Sequence, residues 1–296
     1  MPAKKAQLTH LDKLYWPAEK ISKGDLLRYY ETISSFILPY LKNRPLSLKR
    51  NPNGINDKGF YHKDAGDIAP SWMKTAGIPS ASSNKTVHYL VCNDLESLLF
   101  IANLGCIEMN PWNSVTSNLD KPDYFMIDID PSDKNSFDEV IDVALVVKDV
   151  LGRAGIAGYC KTSGSSGVHV YVPLKRKYGY DEVREFAKIV ATLAQEQMPS
   201  NTTLERSLAK RKKTQIYIDY LQNSRGQTLA SAYSARPRPG ATVSAPLDWK
   251  EVKHGLSPAD FTIKNMLSRV RKKGDLFIEV LGKGIDLKAA LKKLQP

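Results

Sequence analysis

Tyr124-Phe125-Met126-Ile127-Asp128-Ile129-Asp130-Pro131 is a run of aromatic and aliphatic residues that takes in two aspartates and stops at a proline. Such a run reads as a buried strand, and side chains two apart on a strand leave the same face. Both carboxylates therefore point one way. Two like charges at the end of an apolar strand are unfavourable unless something positive stands between them. A divalent cation is the simplest such partner, and Mg²⁺ or Mn²⁺ is commonly held by a few carboxylates together with substrate phosphates. A strand ending at the surface with two solvated acids is the other reading of the same residues.

The strand lies in a chain of 296 residues with a formal net charge of +12. That length supports one large or two small domains, and the excess of Lys and Arg suits a polyanionic partner such as nucleic acid. Cys92, Cys106 and Cys160 are scattered with no Cys-x-x-Cys pair, which argues against a zinc cluster or a disulfide framework and makes a reducing cytosol the expected setting. No hydrophobic run is long enough for a membrane span, and Met1-Pro2-Ala3-Lys4-Lys5 does not lead into a signal-peptide core.

Upstream, Ser22 with Asp25 resembles a capping box, and Leu26, Leu27, Tyr30, Ile33 and Ile37 predict a helix running to about Pro39. A strand from Pro45 to Lys49, an Asn/Pro/Gly loop from Asn51 to Gly59, strands at Tyr89–Cys92 and Gly105–Met109, and a helix near Leu95–Asn103 complete the first part. Downstream, Ser136 caps a helix with an apolar stripe through Phe137, Val140, Ile141, Ala144, Val147 and Leu151, ended by Gly152 and Gly155. Ile156–Thr162 and Val168–Val172 read as strands joined by Ser163-Gly164-Ser165-Ser166-Gly167, a tight turn that requires antiparallel pairing. A helix from about Asp181 to Gln197, an exposed basic run from Arg206 to Lys213, a strand at Ile216–Tyr220 and a helix start at Ser257-Pro258 follow. Strands with interspersed helices predict an α+β (mixed α/β) fold.

Asp219, also at the end of an apolar strand, is the natural third acid. Three carboxylates could hold two cations a few ångströms apart and support phosphoryl transfer, although Asp219 could equally cap the next turn. Successive N–H groups of the Ser163–Gly167 turn could form an anion nest, with Lys161 adding a donor, and His169 shares a face with Tyr171 on the next strand. His169 is then either a phosphate ligand or a satisfied structural histidine. Lys49 and Arg50 precede the Asn-rich loop and Phe60, Tyr61, His62 and Lys63 follow it; rings so placed either stack on bases while the cations follow the backbone, or belong to the core. Lys13 and Lys23 flank Tyr15-Trp16-Pro17, either as a seat for a terminal phosphate or simply as two solvated lysines.

Taken together, Asp-Ile-Asp-Pro at Asp128–Pro131, the segment Lys161–Leu174 and Asp-Tyr-Leu-Gln-Asn at Asp219–Asn223 resemble the polymerase domain of DNA ligase D, in the archaeo-eukaryotic primase superfamily. The resemblance spans nearly the whole chain. It implies a primase-polymerase fold with a central, mostly antiparallel sheet bearing the metal acids and flanked by helices. It further implies one domain over 1–296: an N-terminal subregion to about 115 with DNA-end contacts, a catalytic core of about 116–250, and a C-terminal helical segment of about 251–296. Ligase and phosphoesterase domains are absent, as expected of a stand-alone polymerase or an excised domain.

By the same resemblance, Asp128, Asp130 and Asp219 are the catalytic acids holding two Mn²⁺ or Mg²⁺ ions, with an NTP or dNTP as substrate. Lys49, Asn110, Ser163, Ser166, His169, Gln222 and Arg236 correspond to nucleotide-binding positions. Lys13 and Lys23 correspond to lysines gripping a 5′-phosphate. Arg50, Phe60, Tyr61, Lys63, Arg211, Lys212 and Lys213 correspond to further DNA contacts. The implied setting is non-homologous end joining in a prokaryotic cytosol or nucleoid, with gapped or broken DNA, Ku and a ligase in trans as partners and a DNA-dependent dimer as an option. Asn110 stands where many relatives carry His, and Ser166 where Lys is common. Each hydrogen bond to a charged phosphate contributes roughly 1.5–3 kcal/mol, so nucleotide affinity is expected to fall or to be supplied elsewhere. A non-catalytic end-bridging module is the alternative from another class, and an Asp-x-Asp glycosyltransferase is a third reading disfavoured by the basic surface and paired aromatics.

Overall fold

A computed structural model of the chain describes residues 5–80 and 84–294. The fold is mixed α+β and divides into two compact units. The first is drawn from Met1–Ser117, Thr228–Ser244 and Phe261–Gly274. In it β1 (Leu14–Trp16) pairs with β2 (Ile21–Ser22), which leads directly into α1 (Lys23–Leu41). The Ser22 side chain accepts from the Asp25 N–H while the Asp25 carboxylate accepts from the Ser22 N–H, so two otherwise orphaned donors are satisfied together. The helix passes through Pro39 and ends at Leu41 rather than stopping at the proline. Pro39 lacks the N–H that would bond back to Ser35, but the Lys42 N–H still closes onto the Leu38 carbonyl, so the helix continues past the proline.

The next strands in this unit are β3 (Leu46–Arg50), β4 (Phe60–His62), β5 (Thr75–Ser80) and β6 (Lys85–Leu90). Helix α2 (Leu95–Asn103) then precedes β7 (Cys106–Pro111). β3 is the middle strand of an antiparallel sheet ordered β4-β3-β7, and β5 and β6 form a separate ribbon. The expected strand at Tyr89–Cys92 begins earlier, at Lys85. Residues 85–88 are exposed or half-buried, so that half of the strand leaves no apolar signature in the sequence.

The second unit comprises Asn118–Gln227, Ala245–Asp260 and Asp275–Pro296. Its strands and helices run β8 (Tyr124–Asp130), α3 (Phe137–Arg153), β9 (Tyr159–Thr162), β10 (Val168–Pro173), α4 (Tyr180–Gln197), β11 (Thr202–Thr203), β12 (Ile216–Asp219) and β13 (Pro246–Leu247). The strands form one sheet in the order β11-β12-β8-β10-β9-β13, antiparallel except for the β11–β12 pair. Register sorts the side chains into two faces. Phe125, Ile127 and Ile129 stand opposite Val172, Val170 and Val168, and Ile218 lies across from Ile129; all are fully buried on one face. Burying a Val or Ile side chain contributes about 1.5–3 kcal/mol, so this face provides much of the unit's stability, and the Phe125–Phe186 ring contact docks α4 against it. Ser136 caps α3 through a capping box with Glu139, and Gly155, at φ 69°, closes it.

β9 starts at Tyr159 rather than Ile156, because the Ile156 N–H still bonds back to the Leu151 carbonyl at the end of α3. The helix predicted at Ser257-Pro258 is a single 3₁₀ turn, Pro258–Asp260. Within the first unit, the Val243 N–H then donates to the Phe261 carbonyl and the Ile263 N–H to that of Ala241. That bridge delays the helix to α5 (Met266–Lys273), and α6 (Leu287–Leu294) belongs to the second unit. No helix among the described residues is long and apolar enough to cross a membrane. Cys92, Cys106 and Cys160 are free and buried.

Candidate active site

The acids stand on the polar face of the six-stranded sheet, and a single ladder row arranges them. Lys161 on β9 is the register partner of His169 on β10, His169 that of Asp128 on β8, and Asp128 that of Asp219 on β12. Register partners in an antiparallel sheet project to the same face. Four adjacent strands thus present ammonium, imidazole and two carboxylates in one line. Asp130, two residues beyond Asp128, joins the same face opposite Tyr217.

Asp219 is buried and densely held: Oδ1 accepts from the Tyr217 hydroxyl and from the Leu221 N–H at 2.7 Å, and Oδ2 from the Gln222 amide at 3.1 Å. Gln222, a predicted nucleotide contact, thus also orients a predicted metal ligand. Asp128 has His169 Nε2 at 3.3 Å from Oδ1. Asp130 reaches solvent at the strand end, yet the protein packed beside it desolvates its carboxyl and raises its pKa. Arg211 opposes that rise and the charge of Asp219 adds to it. The Arg211 guanidinium lies 3.6 Å from the centroid of the Tyr217 ring and donates to the carbonyls of Glu205 and Arg206. Arg211, Lys212 and Lys213 line a groove of about 360 Å³ together with Asp130 and Asp133.

In the Ser163–Gly167 turn, the N–H groups of Ser165 and Gly167 both donate to Ser163 Oγ, so part of the expected anion nest is spent within the turn. Ser166 is exposed at its tip. Lys161 does not extend into this turn as a phosphate donor. It is fully buried, with Nζ 2.7 Å from His169 Nδ1 and 5.5 Å from the centroid of the Tyr171 ring.

The remaining predicted residues belong to the first unit. Lys49 stands opposite Tyr61 on β4 and Glu108 on β7, its ammonium 5.0 Å from the Tyr61 ring centroid and bonded to the Lys58 carbonyl. Arg236 pairs with Glu108 at 2.7 Å, both side chains largely buried. Asn110, across from Ser47, is buried with its Nδ2 lacking a partner among the described residues. Phe60 and Tyr61 are 48% and 62% exposed, rings turned outward rather than into a core, with the Arg50 guanidinium 5.3 Å from the Phe60 centroid and Lys63 exposed beside them. Lys13 is exposed and donates to Asn53 Oδ1, whereas Lys23, at the first position of α1, is buried. Burial first, and then the charge of Lys13, lower the pKa of Lys23.

Among the described residues, no three His, Cys, Asp or Glu side chains are already drawn together at metal-ligating spacing. The donor chemistry nonetheless suits a hard divalent cation. Asp128, Asp130 and Asp219 are oxygen donors on one face, and the upward pressure that Asp219 exerts on Asp130 is one that a cation would relieve.

The family described as LigD, primase-polymerase domain, matches residues 22–277. The chain belongs to this family. It is 33% identical over 277 residues to the bifunctional non-homologous end joining protein LigD of Bacillus subtilis, covering 93% of this chain and 44% of that protein. It is 31% identical to the multifunctional LigD protein of Pseudomonas aeruginosa, covering 83% of this chain and 29% of that one. This LigD-type chain therefore spans less than half of those relatives. The solved polymerase domain of Mycobacterium tuberculosis ligase D in complex with DNA superimposes with a TM-score of 0.86 at 27% identity, covering 96% of this chain and all of that one.

The roles of two residues of this primase-polymerase chain, Asn223 and Lys161, differ from anything read from the sequence alone. Asn223 is buried; its Oδ1 accepts from the Met126 N–H at 2.9 Å and its Nδ2 donates to the Met126 carbonyl at 2.7 Å. The side chain thereby continues the pairing of β8 after β12 has ended, a contact that no local pattern announces. For Lys161 a signal was present: counting outward from the Ser163–Gly167 turn sets Thr162 against Val168 and Lys161 against His169.

Proposed function

We propose that the chain is a two-metal-dependent DNA-end repair polymerase of non-homologous end joining. It adds ribo- or deoxyribonucleotides to a primer 3′-hydroxyl at gaps and broken ends bound through a 5′-phosphate. The observation that carries this reading is the alignment of Asp128, Asp130 and Asp219 on one sheet face in a chain of the LigD primase-polymerase family. Membership of that family supports a nucleotidyltransferase, and the DNA complex of the related mycobacterial domain supports DNA as the substrate.

Held by Asp128, Asp130 and Asp219, Mn²⁺ or Mg²⁺ would supply Lewis-acid stabilisation of the charge that develops on the attacking and leaving oxygens. The residues of the chain do the positioning. Tyr217, Leu221 and Gln222 fix the Asp219 carboxylate, and His169 fixes that of Asp128. Ser163, Ser166, His169 and Gln222 border the place of the incoming nucleotide, whose α-phosphate the primer 3′-oxygen attacks as pyrophosphate leaves. In the first unit, Lys49, Asn110 and Arg236 offer donors suited to phosphate or sugar oxygens. The exposed rings of Phe60 and Tyr61, backed by Arg50 and Lys63, suit stacking on DNA bases. Lys23 and Lys13 suit a 5′-phosphate, because two cations of which one is buried gain from a shared anion. Ku and a separate ligase are the partners this role calls for.

Extension of a gapped duplex with Mn²⁺ tests the reading. Asp128→Ala and Asp219→Ala are each expected to abolish incorporation while leaving DNA binding within a few-fold of wild type. Full incorporation by either variant would remove the metal assignment. Tight DNA binding by the wild type with no incorporation of any nucleotide would favour the end-bridging alternative.

A further inference from the structure

Lys161 is the one residue of the ladder row without a part in the reaction just described, and its environment is unusual for a lysine. The side chain is fully buried on the polar face of the sheet, and lysines are almost never buried without a partner. Its Nζ lies 2.7 Å from His169 Nδ1. An ammonium has three donor hydrogens and no lone pair, so at this distance it donates and Nδ1 must offer its lone pair. The imidazole proton is then carried by Nε2, and Nε2 faces Asp128 Oδ1 at 3.3 Å. The direction of both links, from Lys161 to His169 and from His169 to Asp128, is thereby set. Tyr171, two residues along from His169, presents its ring to the same ammonium.

We propose that Lys161 is a positioning residue that locks His169 in its Nε2–H tautomer, so that the imidazole donates to Asp128 and orients that carboxylate for a divalent cation. The inference rests on the metal role of Asp128 given above. Outer-layer partners of a metal ligand, as His169 is of Asp128, commonly change metal affinity by 10–100-fold when removed. Lys161 bonds the Nδ1 side of the ring and Asp128 faces the Nε2 side, so the effect proposed for Lys161 is carried to the carboxylate by His169.

The chain contains five histidines, so selective ¹⁵N-histidine labelling with long-range ¹H–¹⁵N correlation resolves them, and a His169→Gln sample assigns the signal. In the metal-free wild type, His169 is expected to carry its proton on Nε2 alone; a proton on Nδ1 would overturn the proposal without recourse to any variant. Lys161→Met, which keeps the apolar stem, should bring in the second tautomer and weaken Mn²⁺ binding about tenfold or more, followed by electron paramagnetic resonance titration. An unchanged tautomer, or a changed tautomer with wild-type Mn²⁺ affinity, refutes it. In a His169→Ala background, Lys161→Met should produce no further loss; additive losses would show that Lys161 acts by another route. If Asp128→Ala binds Mn²⁺ as well as wild type, the metal reading itself fails, whereas the tautomer of the metal-free protein is decided independently.

Discussion

Replacing Lys23 by methionine is expected to separate the stability of the fold from the proposed recognition of a 5′-phosphate. Lys23 is 4% exposed at the first position of α1, where the helix dipole presents its positive end to a cation. Its pKa is lowered from the ordinary 10.5 by burial and, secondarily, by Lys13. The N–H groups of Lys23 and Gly24 are already taken by the carbonyls of Lys13 and Leu11, so an anion here would be held by side chains rather than by the helix backbone. Methionine keeps the stem and removes the charge, and a gain of about 1 kcal/mol is expected, the lower end for exchanging buried charge for apolar volume. Loss of one charge-assisted contact to phosphate is worth roughly 1.5–3 kcal/mol, or about ten- to 150-fold in affinity.

Fluorescence anisotropy on gapped duplexes with and without the 5′-phosphate gives the ratio of the two Kd values, and thermal unfolding gives the stability. The ratio should fall toward one in Lys23→Met while Tm rises. Between the lowered folded-state pKa and 10.5 the unfolded chain binds more protons than the folded one, so wild-type stability climbs with pH across that window. Lys23→Met should lack the climb. An unchanged phosphate preference, or a lower Tm in the variant, would refute this account of the site.

Asn223→Ala strands the Met126 N–H and carbonyl in a buried strand and should destabilise the second unit by about 2–4 kcal/mol, measured by urea denaturation. Burial raises the pKa of all three cysteine thiols, that of Cys106 to about 12, so a thiol reagent such as Ellman's should find none of them in the native protein and all three in denaturant. His254 is exposed, and its hydrogen bond to Asp142 and then the charge of Asp142 raise its pKa above 6.5. The small stabilisation is therefore full below 6.5 and lost as pH rises through the folded-state midpoint, and Asp142→Asn should move the NMR titration of His254 back toward 6.5.

The alternation in Tyr124–Asp130 and Val168–Val172 was enough to place Asp128 with Asp130 and His169 with Tyr171, because the two-residue period of a strand is a local property. The capping boxes at Ser22 and Ser136 were legible for the same reason. The partner of Lys161 was not read, since a cationic side chain beside a Ser/Gly turn suggests phosphate until the strands are laid in register. Pairing across strands is a property of two segments at once, and a period carries no information about it. The first unit was harder: β4, β5 and the outer half of β6 are exposed on so many positions that they carry no apolar rhythm, and their strand character comes from hydrogen bonding alone. Glu108, unremarked as a charge in the sequence, proved to be the partner that holds Arg236.

The amide of Asn223 imitates a peptide group, and the imitation has a mechanical meaning. A sheet ordinarily loses its grip on a strand where the neighbouring strand departs, and the freed edge frays. Here the main chain leaves after Asp219 while one side chain goes on clasping Met126 at both its donor and its acceptor. The chain can therefore turn sharply at the very residue whose carboxylate must stay fixed, and the bend at Asp219 does not loosen the strand that carries Asp128 and Asp130. Slow amide exchange at Met126, beyond the last backbone rung, would be the trace of that clasp.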